Sequence, residues 1–348
     1  MVVLVTGGAG YIGSHAARRL LADGHSVVII DNLSCGHIGA INALRTLPGA
    51  DQRLAYIECD IADRPRVEKI LRDHKVEAVI HFAAFADLRE SVFNPLKYYD
   101  NNTARAIAFL QACDAVGIQK FIFSSTCATY GELAPEFIPI SEDYPHRAPI
   151  NPYGHSKLAL EWALLDYADA QKRANKPFAC AILRYFNVAG CDTQGLLGEH
   201  RVPHIRIVPI LCEAALGYRE HITIFGTDYP TPDGTCVRDY IHVDDLVDAH
   251  IAVMNDLKTS GGGDARAYNL GLGRGTSILE LIEATKRVTG TNFEVRQGPR
   301  APGDPANLYC NTAKIERDLG WKPRITSTDD IIASAYNWMK KHPKGYAK

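Results

Sequence analysis

Short, mainly apolar runs bounded by turn residues recur through the first half of the chain, at residues 2–5, 27–30, 76–81, 121–124 and 180–183. Between them, residues 15–22, 67–74, 104–116 and 156–174 carry longer helix-like patterns. Strand and helix therefore alternate, which predicts an α/β fold built on a doubly wound parallel sheet. Brief strands with little polar alternation suit a sheet buried on both faces. After about residue 187 the texture changes, with Pro and Gly crowding residues 203–209, 226–234, 261–263 and 298–305. Residues 1–187 are expected to form the sheet domain and 188–348 a smaller α/β lobe. Part of about 235–258, which includes a helix-like stretch at 243–254, is expected to pack back on the first domain.

Composition narrows the partners. The 348 residues are 46% hydrophobic and 22% charged, with a net charge of -2, so no basic field exists to attract nucleic acid or an acidic membrane. A small-molecule substrate follows. The nine cysteines are odd in number and scattered, without a C-x-x-C pair, which predicts free thiols in a reducing compartment. Residues 1–5 are too short for a signal-peptide apolar region, and no uncharged stretch is long enough to span a bilayer. A cytoplasmic protein is expected. Glu199, His200 and His204 lack a closed ligand set and read as solvated loop side chains, so no metal is expected.

Directly after the first apolar run comes Thr6-Gly7-Gly8-Ala9-Gly10-Tyr11-Ile12-Gly13, which opens a helix. Glycines permit a tight turn and close backbone approach to a pyrophosphate, which then sits on free helix N–H groups. A second strand ends at Asp31, 18 residues after Gly13, where an acid binds the adenosine ribose hydroxyls of a Rossmann-like domain. Asp31 would repel a 2′-phosphate, and Asn32-Leu33-Ser34 offers no arginine to accept one, so NAD is expected rather than NADP.

Asn151-Pro152-Tyr153-Gly154-His155-Ser156-Lys157 reads as a helix start, with Asn151 as N-cap and Pro152 in the first turn. Tyr153 and Lys157, four apart, then share a face. A free tyrosine has a pKa of about 10, and lowering it to about 7 takes about 4 kcal/mol, which two nearby cations in a partly dry site can supply. Lys157 and a positive nicotinamide ring are those cations, and Tyr153 would then take a hydroxyl proton as hydride leaves the carbon.

These motifs make the chain resemble the extended short-chain dehydrogenase/reductase family, and within it the UDP-sugar 4-epimerases. The resemblance covers nearly the whole sequence. It rests on Val5 to His15, Tyr98-Tyr99-Asp100-Asn101-Asn102, Phe121 to Thr126, Asn151-Pro152-Tyr153, Leu183-Arg184-Tyr185-Phe186-Asn187, Gly226 to Pro230 and Gly234 to Val243. It implies catalytic Tyr153, Lys157 and Thr126, with Thr126 bonding the sugar 4-hydroxyl and relaying its proton to Tyr153. It implies that Gly7, Gly10, Tyr11, Ile12, Gly13, Asp31, Asn32, Asp60, Ile61, Phe82, Ala83, Ala84, Asn101, Ser124 and Tyr185 hold NAD. The sugar nucleotide would meet Phe186, Asn187, the Ile207-Val208 backbone, Phe225, Arg238, Asp304 and Leu308.

The implied reaction interconverts UDP-glucose and UDP-galactose. Family members that dehydrate nucleotide sugars carry an Asp-Glu pair after the catalytic Thr. Here Cys127-Ala128 follows and supplies no such acid. Three departures touch phosphate and sugar binding: Ala86 replaces a lysine, Arg89 a glycine, and Ala301 an arginine, with Arg300 one residue away. The wording of residues 124–131 and 234–238 also resembles UDP-xylose/UDP-arabinose 4-epimerases, which keeps a pentose open. Leucine at 308 implies poor use of N-acetylhexosamines. A non-catalytic NAD-binding sensor would need the glycine loop but not Thr126, Tyr153 and Lys157 together. Surplus apolar positions on 104–116 and 158–167 imply a homodimer.

Overall fold

The apolar runs become strands of one sheet because both of its faces are covered. The computed structural model describes residues 1–145, 147–300 and 305–346. The first half runs β1 (Val2–Thr6), α1 (Tyr11–Ala22), β2 (Ser26–Asp31), α2 (Ile38–Arg45), α3 (Ala50–Arg53), β3 (Leu54–Glu58), α4 (Arg64–Asp73), β4 (Ala78–His81), α5 (Leu88–Phe93), α6 (Pro95–Tyr99), α7 (Arg105–Val116), β5 (Lys120–Thr126), α8 (Pro152–Arg173) and β6 (Ala179–Tyr185). Then come β7 (Asn187–Ala189), α9 (Ile207–Ala215), β8 (His221–Phe225), β9 (Val237–Arg238), β10 (Tyr240–His242), α10 (Val243–Asp256), β11 (Asp264–Leu270), β12 (Thr276–Ser277), α11 (Ile278–Thr289), β13 (Glu294–Gly298), β14 (Asn307–Leu308), α12 (Ala313–Leu319) and α13 (Thr328–Lys341).

Seven parallel strands pair in the order β11-β6-β5-β4-β1-β2-β3. Successive side chains of a strand point to opposite faces. Val3, Val5, Val27, Ile29, Ala78, Ile80 and Ile122 accordingly enter one core, while Leu4, Val28, Ile30, Val79, Phe121 and Phe123 enter another. Helices α1 and α10 cover the first face, and α4, α7 and α8 the second. Polar positions inside these strands would be buried, which is why the runs lack alternation.

The chain leaves β1 in one direction toward β2 and β3 and returns on the other side through β4. Such a reversal opens a crevice beyond the C-terminal ends of β1 and β4, where open α/β sheets bind ligands. Helix α10 packs against α1, β5 and β6.

Two strands of this sheet, β3 and β11, escape the sequence reading. Both are edge strands, only partly buried, and Asp264–Leu270 lies well beyond residue 187. A parallel pair of β8 and β13, and the short sheet β12-β9-β14, frame the far wall of the crevice.

Candidate active site

The crevice is a cavity of about 1500 Å³. Its cofactor end is built by the glycine loop. Gly7 has φ +69, and a Cβ there would lie 2.8 Å from the Ala83 backbone nitrogen; one on Gly13 would lie 2.2 Å from the Gly7 carbonyl oxygen. No other residue fits either position. Helix α1 begins behind this loop with Gly10 as N-cap and no side-chain cap, so its first N–H groups are left for a ligand.

Asp31 closes β2 and lines the cavity. Its carboxylate accepts from Ala9 N at 3.0 Å and Leu33 N at 2.8 Å. Burial pushes its pKa up, against the pull of those two N–H groups. A glycine cradle, an open helix end and an acid beyond the second strand fit a dinucleotide with a free ribose, which is NAD.

Gly7, Gly10, Tyr11, Ile12, Gly13, Asn32, Ile61, Phe82, Ala83, Ala84, Asn101, Ser124 and Tyr185 line the same cavity. Asp60 does not. Its carboxylate is engaged beside the site, accepting from Asn32 Nδ2 at 3.0 Å, Arg105 Nη1 at 2.8 Å and Ala62 N at 2.8 Å. These bonds hold Asn32 and the Ile61 loop beside the site.

The reacting end forms where β5 meets α8. Asn151 caps α8 by accepting from Gly154 N at 2.8 Å, with Pro152 in the first turn, as the motif predicts. One turn further, Lys157 donates from Nζ to the Ser124 carbonyl at 2.7 Å, and it stands 4.8 Å above the Phe123 ring centroid. Tyr153 and Lys157 are 7% and 3% exposed. Thr126 ends β5 on the cavity wall beside them, and the Ser124 and Tyr185 hydroxyls are hydrogen-bonded to each other.

Burial dominates the titration of this pair in the protein alone. It raises the Tyr153 phenol well above its ordinary value, reinforced by Tyr185, while the Thr126 hydroxyl and then the Arg206 charge pull it down. Burial lowers Lys157 to about 7, with Glu161 opposing. The expected phenolate is thus disfavoured without a bound cation.

Behind the wall lies a buried polar network. Glu161 accepts from Ser125 Oγ at 2.5 Å, from Arg184 Nη2 at 2.7 Å and from Arg147 Nη1 at 2.7 Å. Arg184 Nη1 donates to Tyr130 Oη at 2.9 Å, and Tyr130 donates to Asn269 Oδ1 at 2.7 Å. Ser125 lies between Ser124 and Thr126, so the network fixes the end of β5.

At the far end Phe186, Asn187, Ile207, Val208, Phe225, Arg238 and Leu308 all line the cavity. Arg238 Nη1 donates to the carbonyls of Val237 at 2.9 Å and Pro305 at 2.7 Å. Leu308 sits on β14 in register with Arg238. Asp304 and Ala301 lie outside the described residues. Arg300 turns away, with Nε on Asp228 at 2.8 Å and its guanidinium 4.3 Å from the Tyr229 ring.

The loop at 199–206 differs from expectation. Glu199 is buried and ion-paired with Arg206, and the His200 ring packs tilted against His37 with centroids 4.4 Å apart, so neither is a solvated side chain. Among the described residues no three His, Cys, Asp or Glu side chains form a metal-ligand group. Arg206 was not singled out by sequence, although a cation directly before a helix start was the available signal. Cys127, beside Thr126, is held as a thiol by burial at about 12.

Fold and site together define an NAD-linked α/β enzyme of the tyrosine–lysine type. A model of the NAD dependent epimerase/dehydratase family matches residues 3–271, and the chain belongs to that family. It is 47% identical to a probable UDP-arabinose 4-epimerase 3 of Arabidopsis thaliana, over 99% of this chain and 82% of that one. It is 44% identical to a UDP-glucose 4-epimerase of Lactobacillus helveticus, over 99% of each. Its structure superposes on a UDP-glucose-4-epimerase of Stenotrophomonas maltophila, with bound NAD and formylated UDP-arabinopyranose, at TM-score 0.92, 36% identity and 99% coverage of each chain.

Proposed function

We propose that this chain is a UDP-sugar 4-epimerase, an isomerase that interconverts UDP-glucose and UDP-galactose with a resident NAD. The observation that carries the reading is the convergence of Tyr153, Lys157 and Thr126 on one cavity with the glycine cradle and Asp31. NAD would accept hydride from the sugar C4 and return it to the opposite face. Gly7, Gly10, Gly13 and Asp31 would hold it, while Lys157 orients its ribose end. Thr126 bonds the 4-hydroxyl, and Tyr153 takes that proton and later gives it back. With NAD held there, Tyr153 would face a positive nicotinamide ring, which would favour the phenolate that burial disfavours. Cys127 and Ala128 offer no acid to expel a hydroxyl, so the ketone is re-reduced rather than dehydrated. Phe186, Asn187, Ile207, Val208, Phe225 and Arg238 would grip the nucleotide and leave the sugar few fixed contacts, which lets it turn over.

A pentose substrate is the second reading, favoured by the 47% identity to a UDP-arabinose 4-epimerase. Purified protein incubated with UDP-glucose, UDP-xylose and UDP-N-acetylglucosamine, without added NAD, tests both. Epimers of the first or second are expected; preference for the acetylated sugar would refute the role given to Leu308, and turnover only with added NAD would refute a resident cofactor.

The homodimer reading also belongs here. Most apolar residues of α7 are buried inside the subunit, but Val92, Phe93, Leu96 and Tyr99 on α5 and α6 and Trp162 on α8 are exposed, with Phe93 83% exposed. A shared helical face between two copies would cover them. A monomeric mass by light scattering at micromolar concentration would contradict it. No helix among the described residues is long and apolar enough to cross a membrane. Nine free cysteines support a reducing, cytoplasmic setting.

A further inference from the structure

Among the described residues, six arginine and lysine side chains line the cavity: Arg89, Lys157, Arg201, Arg206, Arg219 and Arg238. Lys157 is committed to the Ser124 carbonyl, and Arg238 bonds two backbone carbonyls. Arg219 bonds Glu213 through two nitrogens, and Arg201 pairs with Asp87. Arg89 is exposed, with its guanidinium 5.9 Å from the Phe225 ring centroid.

Arg206 is placed differently. Its side chain is 33% exposed and is held through Nη1 by Glu199, which is 6% exposed. Its guanidinium stands 5.5 Å from the centroid of Tyr11, the residue that opens α1 behind the glycine loop. Its charge also acts on Tyr153 and Tyr185 at the reacting end. It thus lies where the cofactor half of the cavity meets the substrate half. Its own backbone is the N-cap of α9, a helix with no side-chain cap, so the first N–H groups of that helix start beside it. Among the described residues Glu199 alone accepts a hydrogen bond from this guanidinium. An arginine fork presents five N–H donors, and the unused ones suit a doubly charged diphosphate.

We propose that Arg206 is a diphosphate-binding residue of this site, fixed in place by Glu199 and taking the sugar nucleotide's diphosphate together with the start of α9. The inference rests on the sugar-nucleotide reading above. The dinucleotide offers the same chemistry, and the two sources are separated by measurement.

NAD-loaded wild type, Arg206→Gln and Arg206→Lys are titrated with UDP and with uridine by calorimetry, and NAD per chain is measured after gel filtration. Losing charge-assisted bonds to phosphate should weaken UDP binding to Arg206→Gln by about 10- to 100-fold. Uridine affinity and NAD content should not change, and Arg206→Lys should lose less. Unchanged UDP affinity with lost NAD assigns the residue to the dinucleotide's diphosphate instead. Unchanged UDP affinity and unchanged NAD content overturn the proposal, as does an equal loss for UDP and uridine. Should Arg206→Gln fail to fold, Arg206→Lys alone decides: a UDP-selective loss supports the proposal, and wild-type affinity overturns it. A wild type that binds no UDP refutes the sugar-nucleotide reading itself.

Discussion

Replacing Glu161 by leucine should destabilise the protein more than any exposed ion-pair change, and the structure sets the size. Glu161 is fully buried, and its partner Arg184 is 4% exposed at the side chain. Removing the carboxylate leaves Arg184 with Tyr130 alone, through one hydrogen bond and a ring face 5.0 Å away. An uncompensated buried charge costs about 3–5 kcal/mol. Ser125 loses its acceptor as well, which adds about 1 kcal/mol. Arg147, 24% exposed, can turn to solvent, so its lost pair adds under about 1 kcal/mol. The sum, about 4–7 kcal/mol, is comparable with the whole stability of many domains. Urea unfolding at fixed NAD concentration measures it as a shift in midpoint at constant slope. The double change Glu161→Leu with Arg184→Met removes both charges and should recover most of the loss. A single-change cost under about 1 kcal/mol, or a double variant no better than the single, would refute the buried-pair account.

Three further outcomes follow from the same geometry. Tyr153→Phe should lower epimerase turnover by about 10²- to 10⁴-fold while the purified protein keeps its NAD, measured by cofactor released on denaturation; wild-type turnover would remove Tyr153 from the chemistry. His15, His81 and His250 are buried, and burial lowers them to about 4, about 3 and about 4. Each is neutral when folded and takes up a proton on unfolding below pH 6.5, so their contribution is full above that pH and is lost as pH falls toward 4. The thermal midpoint should therefore drop between pH 6.5 and 4, and a flat profile would contradict this. Gly13→Ala should yield protein without NAD, because the added methyl meets the Gly7 carbonyl at 2.2 Å; Gly10→Ala, which meets the same oxygen at 3.2 Å, should retain more.

What could be read from sequence follows burial. The five strands visible as apolar runs are β1, β2, β4, β5 and β6, which are the five interior strands of the sheet. Covered on both faces, they admit few polar residues and so announce themselves. The two that escaped, β3 and β11, are the edges, where Glu58, Asp264 and Arg266 can reach solvent and break the pattern. The site divides in the same way. The glycine loop and the α8 start are local in sequence, each a turn and its helix, so their chemistry is spelled out in consecutive residues. The substrate wall is assembled from β7, α9, β8, β9 and β14, which meet only after folding. Residue type alone cannot place Arg206 against Tyr11, 195 positions earlier in the chain, nor show that Glu199 is a buried counter-ion rather than a loop side chain. The same holds for Asp60, whose carboxylate faces Arg105 across 45 positions. Where a role depends on such long-range pairing, the family resemblance supplied the position, and the packing decides what the side chain there is free to do.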